Sequence, residues 1–414
     1  MKDIIIIGGG MAGLTAAHYL HKANKEFLLL EATNRVGGRV KTDSINGFQL
    51  DRGFQVLLTE YPEVKAVLDY EALNLKSFLP GALILQEHGK SSIIGDPPRW
   101  LGSTFSTLFN DVGTLRDKFQ ILLLRTRLSN LSIDKIFEQE EVTTLQALKS
   151  YGFSDAIIQS FFRPFLSGIF LEKDLTTSRR MFDFVFKLFS KGDTAIPEQG
   201  IEAIPQQIAS CLPINGIRTQ QKVTRIEQGK VYLASGETLE AKQILIATDA
   251  PNAAQLLQQN IKNTDHESTL NVYFSSKKAP FTKPILALNS IANSLVNNCT
   301  VISNLSKQFA PKGEHLISVS VIGKEAANQE NIVEKIKLEL ESHFGAEVRN
   351  WNHLKSYFVK YALPAAQSIQ NDLSPSEIKL DEGLYICGDH LMNGSLNAAM
   401  KSGRLAVKEM MKEL

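Results

Sequence analysis

The first thirty residues alternate between apolar runs, a glycine-rich turn and a stretch with helical character. Residues 4–7 are four consecutive isoleucines, which predict a strand buried on both faces. Residues 14–22 are compatible with a helix, and the apolar residues 27–30 predict a second strand. This order of strand, turn, helix and strand predicts a βαβ unit with parallel strands.

The turn before the helix carries three glycines, Gly8, Gly10 and Gly13, at the spacing GxGxxG. In this motif the first glycine makes the tight turn, the second admits a pyrophosphate, and the third lets the helix pack closely on the strand. Glu31 follows the second strand, where a carboxylate can accept hydrogen bonds from both hydroxyls of an adenosine ribose. The segment therefore predicts a site for an ADP-containing cofactor. Further candidate contacts here are Met11, Ala12 and Ala32.

A second glycine pair follows within a few residues, in the segment 35–40, which reads RVGGRV. A nicotinamide-binding domain would usually continue into another helix and strand at this point. Two glycines flanked by arginines instead offer close backbone approach and positive charge to a diphosphate. The sequence therefore favours FAD as the cofactor. The candidate contacts are Gly37, Gly38, Arg39 and Val40.

With these residues the chain resembles the two-dinucleotide-binding-fold flavoproteins, and within them the superfamily of flavin amine oxidases, protoporphyrinogen oxidases and phytoene (carotenoid) desaturases. Asp51 and Gly53 extend the match to a loop that the family places under the isoalloxazine ring, although an Asp-x-Gly sequence also forms ordinary turns. The resemblance implies an α/β fold: a glutathione-reductase-like Rossmann FAD domain with a discontinuous α+β substrate domain. The candidate contacts in this loop are Gly53, Phe54 and Gln55.

The end of the chain carries a second part of the resemblance, in which residues 384–387 predict a strand and residues 393–406 predict a helix. In the family, an aspartate after this strand accepts a hydrogen bond from a ribityl hydroxyl, and the first turn of the helix points its amides at flavin N1 and the C2 carbonyl. A helix N-terminus favours the negative charge that develops at N1 when flavin accepts a hydride. The matching residues are Gly388, Asp389, Leu396 and Asn397.

A central block completes the resemblance. Residues 223–233 predict two strands around a turn, and residues 244–248 predict a further strand. In the family the backbone at the position of Val223 meets the adenine edge, and the later strand, which contains Ala247, joins the parallel sheet. We therefore expect an FAD domain made of residues 1–75, 195–261 and 371–414, and a substrate domain made of residues 76–194 and 262–370.

The expected substrate domain contains a segment rich in phenylalanine, residues 161–189. Its proline, glycine and serine pattern resembles a segment of protoporphyrinogen oxidases and desaturases. Clusters of aromatic residues usually pack in the core, and the alternative is that some of these rings line an apolar substrate chamber. Further on, residues 331–344 predict a helix, and residues 357–364 predict a strand followed by a turn. Tyr361 in that strand is either an active-site residue or an ordinary strand tyrosine.

Composition narrows the class of protein. The chain has 45 Lys and Arg residues against 44 Asp and Glu residues, so it lacks the basic excess of a nucleic-acid-binding surface. No stretch reaches the roughly 18 to 20 apolar residues of a membrane-spanning helix, and the N-terminus lacks the features of a signal peptide. Three isolated cysteines suit reduced thiols in a cytoplasmic protein, and no histidine has metal-ligand spacing. Peripheral membrane contact stays open, as several relatives with lipid-soluble substrates are monotopic.

The expected activity is transfer of a hydride from a substrate carbon to flavin N5, with oxygen or a quinone as the final electron acceptor. Cys387 lies in a predicted strand and should be a core residue, so the FAD is expected to be non-covalent. The phenylalanines, and the absence of an identifiable amine-oxidase lysine, favour a desaturase-like or protoporphyrinogen-oxidase-like enzyme with an apolar substrate. Lys277 and Lys278 are expected at the surface. A flavin-containing amine oxidase and a non-catalytic FAD-binding protein are the alternatives, and no catalytic residue is identified.

Overall fold

Two large β-sheets with helices around them make up the structure, a computed structural model that describes residues 2–104, 107, 110–259, 261, 265–323, 330–365 and 369–413. The described strands, β1 to β20 in chain order, are Lys2–Ile7, Phe27–Leu30, Thr42–Ile45, Phe48–Asp51, Leu57–Leu58, Leu75–Ser77, Gly81–Leu85, Ser91–Gly95, Thr194–Pro197, Ile217–Arg218, Val223–Glu227, Lys230–Leu233, Thr238–Ile246, His266–Ser276, Leu286–Asn289, Asn298–Val301, His315–Ile322, Asn352–Pro364, Lys379–Asp381 and Leu384–Ile386.

The α-helices alternate with these strands, and a π-helical turn over Ile158–Phe162 links two of them. The described α-helices, α1 to α14 in chain order, are Met11–Lys22, Pro62–Val67, Tyr70–Leu73, Leu115–Asn130, Ile133–Phe137, Thr144–Ser150, Asp155–Ile157, Arg163–Phe170, Arg179–Lys191, Ala203–Ser210, Ala250–Leu257, Ile332–Phe344, Pro375–Ile378 and Leu396–Met410.

The first sheet has eight strands and a parallel centre. Strands β10, β2, β1, β13 and β20 are adjacent and parallel, and β12 and β11 extend the sheet in antiparallel fashion. Strand β1 is central, and its residues Ile4–Ile7 are at most 3% exposed, as expected for a continuous apolar run in a strand that is covered on both faces. The predicted βαβ unit of residues 4–30 is confirmed.

Helices from the two ends of the chain pack against each other beside this sheet. A Cβ atom added at Gly403 of α14 would lie 2.2 Å from the carbonyl oxygen of Ala12 in α1, so only glycine permits this approach. The close packing brings the C-terminal helix to the glycine-rich turn at Gly8–Gly10. The first and last blocks of the sequence therefore meet at one place.

The second sheet has seven strands in the order β18-β14-β17-β16-β15-β7-β8. The sequence predicts a strand and then a turn over residues 357–364, but β18 continues as a strand through Pro364. Pro364 pairs with His266 of β14. Strand β18 is at the edge of the sheet, where a proline without an N–H group is tolerated. The predicted helix of residues 331–344 is α12.

The two sheets draw their strands from different parts of the chain. The first sheet uses residues 2–30, 217–246 and 379–386, and the second uses residues 81–95 and 266–364. This agrees in order with the expected discontinuous domains, whose exact boundaries stay a prediction. Residue 262, where the second substrate segment is expected to begin, lies outside the described residues.

Candidate active site

A cavity of about 1170 Å³ runs from the glycine-rich turn of the first sheet to the second sheet. The predicted cofactor-binding residues line it, with the exception of Gly13 and Asn397. Those that do are Gly8, Gly10, Met11, Ala12, Glu31, Ala32, Gly37, Gly38, Arg39, Val40, Gly53, Phe54, Gln55, Val223, Ala247, Gly388, Asp389 and Leu396.

The three glycines of the GxGxxG motif have different surroundings. A Cβ atom at Gly13 would lie 2.0 Å from the carbonyl oxygen of Gly8, so Gly13 permits helix packing and has no place in the cavity wall. At Gly10 an added Cβ atom meets no atom nearer than Gly38 Cα, at 4.0 Å. The Gly37 amide donates to the Gly9 carbonyl over 2.8 Å, which holds the two glycine-rich segments together. Gly10 and Gly38 thus leave open a backbone cradle that a side chain would fill.

Glu31 is held in place by donors on both of its carboxylate oxygens. The amide of Gly9 donates to Oε2 over 2.9 Å, and the amide and hydroxyl of Thr33 donate to Oε1 over 2.8 and 2.7 Å. A carboxylate has about four acceptor positions, so capacity for ribose hydroxyls remains. Thr33, which also accepts from Lys41 Nζ, is a part of this site that motif reasoning missed.

Arg39 and Asp389 form an ion pair across the cavity. Arg39 Nη2 lies 2.6 Å from Asp389 Oδ1, and Nη1 donates to the carbonyl oxygen of Ala362 in β18 over 2.9 Å. Burial lowers the pKa of Arg39, but the charges of Asp389 and Asp249 raise it further than burial lowers it, so the guanidinium stays charged. The pair therefore ties the N-terminal loop, the C-terminal loop and the second sheet together.

We expect Asp389→Ala to weaken FAD binding by about 1 to 2 kcal/mol, or roughly 5- to 30-fold. The substitution removes the expected acceptor for a ribityl hydroxyl of FAD. It also leaves Arg39 with Ala362 as its hydrogen-bond acceptor among the described residues. Fluorescence titration of the apoprotein with FAD measures this change. Asp389→Asn keeps a side-chain oxygen that can accept a hydrogen bond, so its affinity for FAD should fall less. Equal affinity of Asp389→Ala and the unmodified protein would remove Asp389 from the site.

The N-terminal turn of α14 reaches the cavity through Leu396. Ser395 caps the helix by accepting from the Ala398 amide over 3.0 Å. The side chain of Asn397 has a different role from a cavity contact, since its Oδ1 accepts from the Glu63 amide over 3.0 Å. Glu63 is also paired with Arg404 of α14 through two short hydrogen bonds. These bonds fix the direction of the helix start.

Asp51 is not in the cavity wall, although Gly53 is. Its carboxylate accepts from the Thr42 hydroxyl over 2.6 Å and from the Ile201 amide over 3.0 Å, and both bonds are buried. Asp51 therefore joins the β3-β4 hairpin to the turn before α10. Asp51 thus holds the chain just before Gly53 on the side away from the cavity. It does so in place of the cofactor contact that the Asp-x-Gly pattern suggests.

The phenylalanine-rich segment is divided between the two interpretations. Phe162, Phe182 and Phe184 are fully buried core residues. Others are partly buried and line the cavity: Phe161, Phe165, Phe186 and Phe189. Phe161 and Phe165, four residues apart, stack on one side of their segment, whereas Phe162 points elsewhere. In α9, Phe182, Phe186 and Phe189 share one face and differ in how completely each ring is covered.

The other residues weighed in the sequence lie outside the cavity wall. Tyr361 contacts the ring of His266, with centroids 4.3 Å apart, and is an ordinary strand tyrosine. Lys277 and Lys278 are exposed, as expected. Cys387 is fully buried in the apolar core, and burial raises the pKa of its thiol.

Heat-denatured protein is expected to release its FAD into solution, because none of the three cysteines, all of which the structure describes, lines the cavity. The measurement is the visible absorbance of the supernatant and of the washed precipitate after heating. Acid precipitation serves as an independent control. Flavin that stays with the precipitate after both treatments would show a covalent bond.

Polar residues in the far part of the cavity were not identifiable from sequence. Asp96 is paired with Arg125, and Arg99 is paired with Asp193. Lys118 donates to the carbonyl oxygen of Asn110 over 3.0 Å. Asp96, Arg99, Lys118 and Arg125 line the cavity, so its outer part carries more positive than negative groups. They come from distant positions in the chain and form no motif.

Comparison with known proteins gives the family. The family model for flavin containing amine oxidoreductases matches residues 11–411. The chain belongs to this family. It is 22% identical over 389 residues to coproporphyrinogen III oxidase of Bacillus subtilis (strain 168), covering 80% of this chain and 79% of that protein. It is 25% identical over 258 residues to polyamine oxidase 2 of Arabidopsis thaliana, covering 59% and 50%.

A solved structure of similar fold is the putative protoporphyrinogen oxidase from Exiguobacterium sp. 255-15, with a TM-score of 0.71, 19% identity and coverage of 100% of this chain and 99% of that one. Family membership and these relatives make the protein an FAD-dependent oxidoreductase. Among the described residues, no helix has the length and apolar character needed to cross a membrane.

Proposed function

We propose that the protein oxidises a carbon atom of an apolar substrate, in the manner of protoporphyrinogen oxidases or desaturases. The observation that carries this proposal is the chamber wall of Phe161, Phe165, Phe186 and Phe189, which is continuous with the glycine-rich cofactor site. Apolar and aromatic walls with few polar groups are typical of sites for apolar ligands. FAD, when bound, supplies the hydride acceptor at N5, and oxygen or a quinone is the proposed final acceptor.

The residues proposed to hold FAD follow the cavity from the first sheet to α14. Gly10 and Gly38 leave room for a diphosphate, and Glu31 has acceptor capacity for the ribose. The charged guanidinium of Arg39 offers positive charge close by. At the other end, the first turn of α14 presents amides without intrahelical acceptors toward the cavity, which favours negative charge there.

The chamber residues orient the substrate and exclude water. Stacked rings of Phe161 and Phe165, with centroids 5.4 Å apart, present a flat apolar surface. The carboxylates in this part of the wall already have partners: Asp96 is bound by Arg125, and Glu172 accepts from the amides of Asp174 and Thr177. Among the described residues of this wall, the positive groups Arg99, Lys118 and Arg125 outnumber the two carboxylates, so the net charge opposes a cationic amine. This disfavours the amine oxidase alternative.

Under anaerobic conditions, we expect protoporphyrinogen or a carotenoid precursor to bleach the visible flavin absorbance and simple amines to leave it unchanged. A stopped-flow panel with putrescine and benzylamine as the amines measures this difference. Each substrate is followed by admission of air, which tests reoxidation. Bleaching by an amine, at a rate that rises with pH as the amine loses its proton, would contradict the proposal and support an amine oxidase.

A proposed membrane contact has its support at the start of α4. Leu115 and Phe119 are 69% and 59% exposed, and Leu123 is 48% exposed. Leu101, 82% exposed, lies in the short 3-10 helix Leu101–Ser103, which precedes α4 in the chain. Leu115 and Phe119 also line the cavity, so this apolar surface borders its opening. Exposed apolar residues beside basic ones on a helix are typical of binding to anionic bilayers. The exposed basic residues of α4 are Arg116 and Arg127.

Substitution of both Phe119 and Leu123 by serine is expected to reduce binding to vesicles of phosphatidylcholine and phosphatidylglycerol several-fold. Each substitution removes apolar side-chain area that would be buried in the bilayer. Co-sedimentation measures the bound fraction. Ile214→Ser is the matched control, because Ile214 is 94% exposed but lies away from the cavity wall. Equal loss in the control, or no binding by the unmodified protein, would refute the membrane contact.

A further inference from the structure

The chamber wall becomes polar at the centre of the seven-stranded sheet. Asn298 of β16 and Ser320 of β17 line the cavity and are register partners. Asn271 of β14 is the partner of Ser320 on the next strand. Because directly opposed residues project from the same face of a sheet, the three side chains form a row across three strands. Leu286 and Ala82, which line the cavity on the neighbouring strands, are apolar.

Asn271 has an amide atom without a hydrogen-bond partner among the described residues. It is fully buried, and its Oδ1 accepts from the hydroxyls of Ser318 and Ser320 over 3.1 and 3.2 Å. No described residue bonds to its Nδ2. If the amide is turned over, Nδ2 bonds to the hydroxyl oxygens and Oδ1 becomes the unbonded atom. In either orientation the row keeps an unused hydrogen-bonding capacity inside the protein.

The orientation of Asn298 is fixed by its neighbours. Asn297 donates through Nδ2 to the carbonyl oxygen of Pro164 over 3.1 Å, which leaves its Oδ1 as the acceptor for Asn298 Nδ2 over 2.7 Å. A Cβ atom at Gly168 would lie 2.7 Å from Asn297 Oδ1, so glycine allows α8 to close on this pair. Asn298 Oδ1 is therefore an acceptor with no donor among the described residues, on a side chain that lines the cavity.

We propose that Asn298 and Ser320, whose hydroxyl is held by the buried Asn271, form a neutral polar subsite that binds one hydroxyl or un-ionised N–H group of an otherwise apolar substrate. This inference rests on the proposed function and names its substrate more closely. All three side chains are uncharged, so an ionised group would lose its hydration without gaining a counter-charge. Asn298 Oδ1 requires a donor, so an analogue without an O–H or N–H group leaves a buried acceptor unpaired and is rejected.

The test compares two probes of similar shape on the FAD-loaded protein. 2-Naphthol carries a hydroxyl donor, and 2-methoxynaphthalene has an oxygen without one. Binding is followed by the change in the visible absorbance of the oxidised flavin and by naphthalene fluorescence. We expect the naphthol to bind about ten-fold more tightly. Asn298→Leu should abolish this preference, because the naphthol loses its acceptor and the methoxy compound no longer leaves a buried acceptor unpaired, so that the naphthol binds more weakly and the methoxy compound more tightly than to the unmodified protein.

Thr300→Val is the matched control, since Thr300 lies on the same strand and is bonded to Ile285, away from the cavity wall. It should keep the preference. If Asn298→Leu does not accumulate as folded protein, Asn298→Ala replaces it with the same expected result. Equal binding of both probes to the unmodified protein, or a preference that survives in the Asn298 variant, would overturn the subsite while supporting the apolar chamber. Failure of both probes to bind would instead contradict the proposed function.

Discussion

Protein carrying Gly10→Val is expected to fold and to contain no FAD. Gly10 is the N-cap of α1, with φ −77° and ψ −176°, a conformation that valine adopts without strain. An added Cβ atom has 4.0 Å to its nearest neighbour, so the protein has room for it. That room is in the cavity wall, where the motif places the pyrophosphate. We expect affinity for FAD to fall by about 100-fold or more, which is roughly 2.7 kcal/mol.

The ratio of flavin absorbance to protein absorbance after purification measures the loss, and circular dichroism checks the fold. Gly13→Val provides the contrast, because its Cβ atom would lie 2.0 Å from the Gly8 carbonyl oxygen. That variant should fail to fold, whereas Gly10→Val should lose the cofactor alone. Normal FAD content in Gly10→Val would show that the diphosphate lies elsewhere.

The cofactor half of the site can be predicted from the sequence because its chemistry is local. The spacing of Gly8, Gly10 and Gly13 between a strand and a helix specifies one backbone geometry, and Glu31 follows at the end of the next strand. Each of these residues is within one βαβ unit. The cavity position of Asp389 is also predictable, but through family resemblance and not through local pattern.

The chamber could not be predicted in the same way, because its residues meet through tertiary packing. Asn298 and Ser320 are ordinary polar residues in short strands, and their shared face depends on a sheet register that no local signal sets. Phe165 and Phe182 look alike in the sequence, yet one lines the cavity and the other is core, since helix orientation decides which face is covered. Arg99 and Arg125 are positioned by ion pairs with acidic residues that are distant in the sequence, Asp193 and Asp96 respectively.

Asp51 shows how a plausible motif residue takes a structural role. It is buried beside Glu202, and burial together with the charge of Glu202 raises its pKa to about 6, although hydrogen bonds from Thr42 and Ile201 lower it. The unfolded chain has a pKa near 3.9 for this group. Folded protein therefore binds the extra proton between about pH 4 and pH 6. The stability that Asp51 contributes is fully present below this range and is lost as the pH rises through 6.

Asp51→Asn is expected to keep FAD and to increase the free energy of unfolding at neutral pH, relative to the unmodified protein. An amide oxygen can still accept from Thr42 and Ile201, and residue 51 no longer places a second buried charge beside Glu202. A shift of about two pKa units corresponds to roughly 2 to 3 kcal/mol. The difference between the two proteins should grow between about pH 4 and pH 6 and should therefore be larger at about pH 7.5 than at about pH 4.5. Urea denaturation at both pH values measures it.

Asp43→Asn on the same hairpin is the control with the opposite expectation. Burial raises the pKa of Asp43, but Arg52, Tyr357 and Arg35 lower it further, to about 2. Its contribution to stability is present above the unfolded pKa and is lost only as the pH falls toward 2, so the variant should be less stable by a nearly constant amount across the same range. If Asp51→Asn instead lost its FAD, Asp51 would belong to the cofactor site as the Asp-x-Gly pattern suggests, and a stability difference independent of pH would contradict the raised pKa.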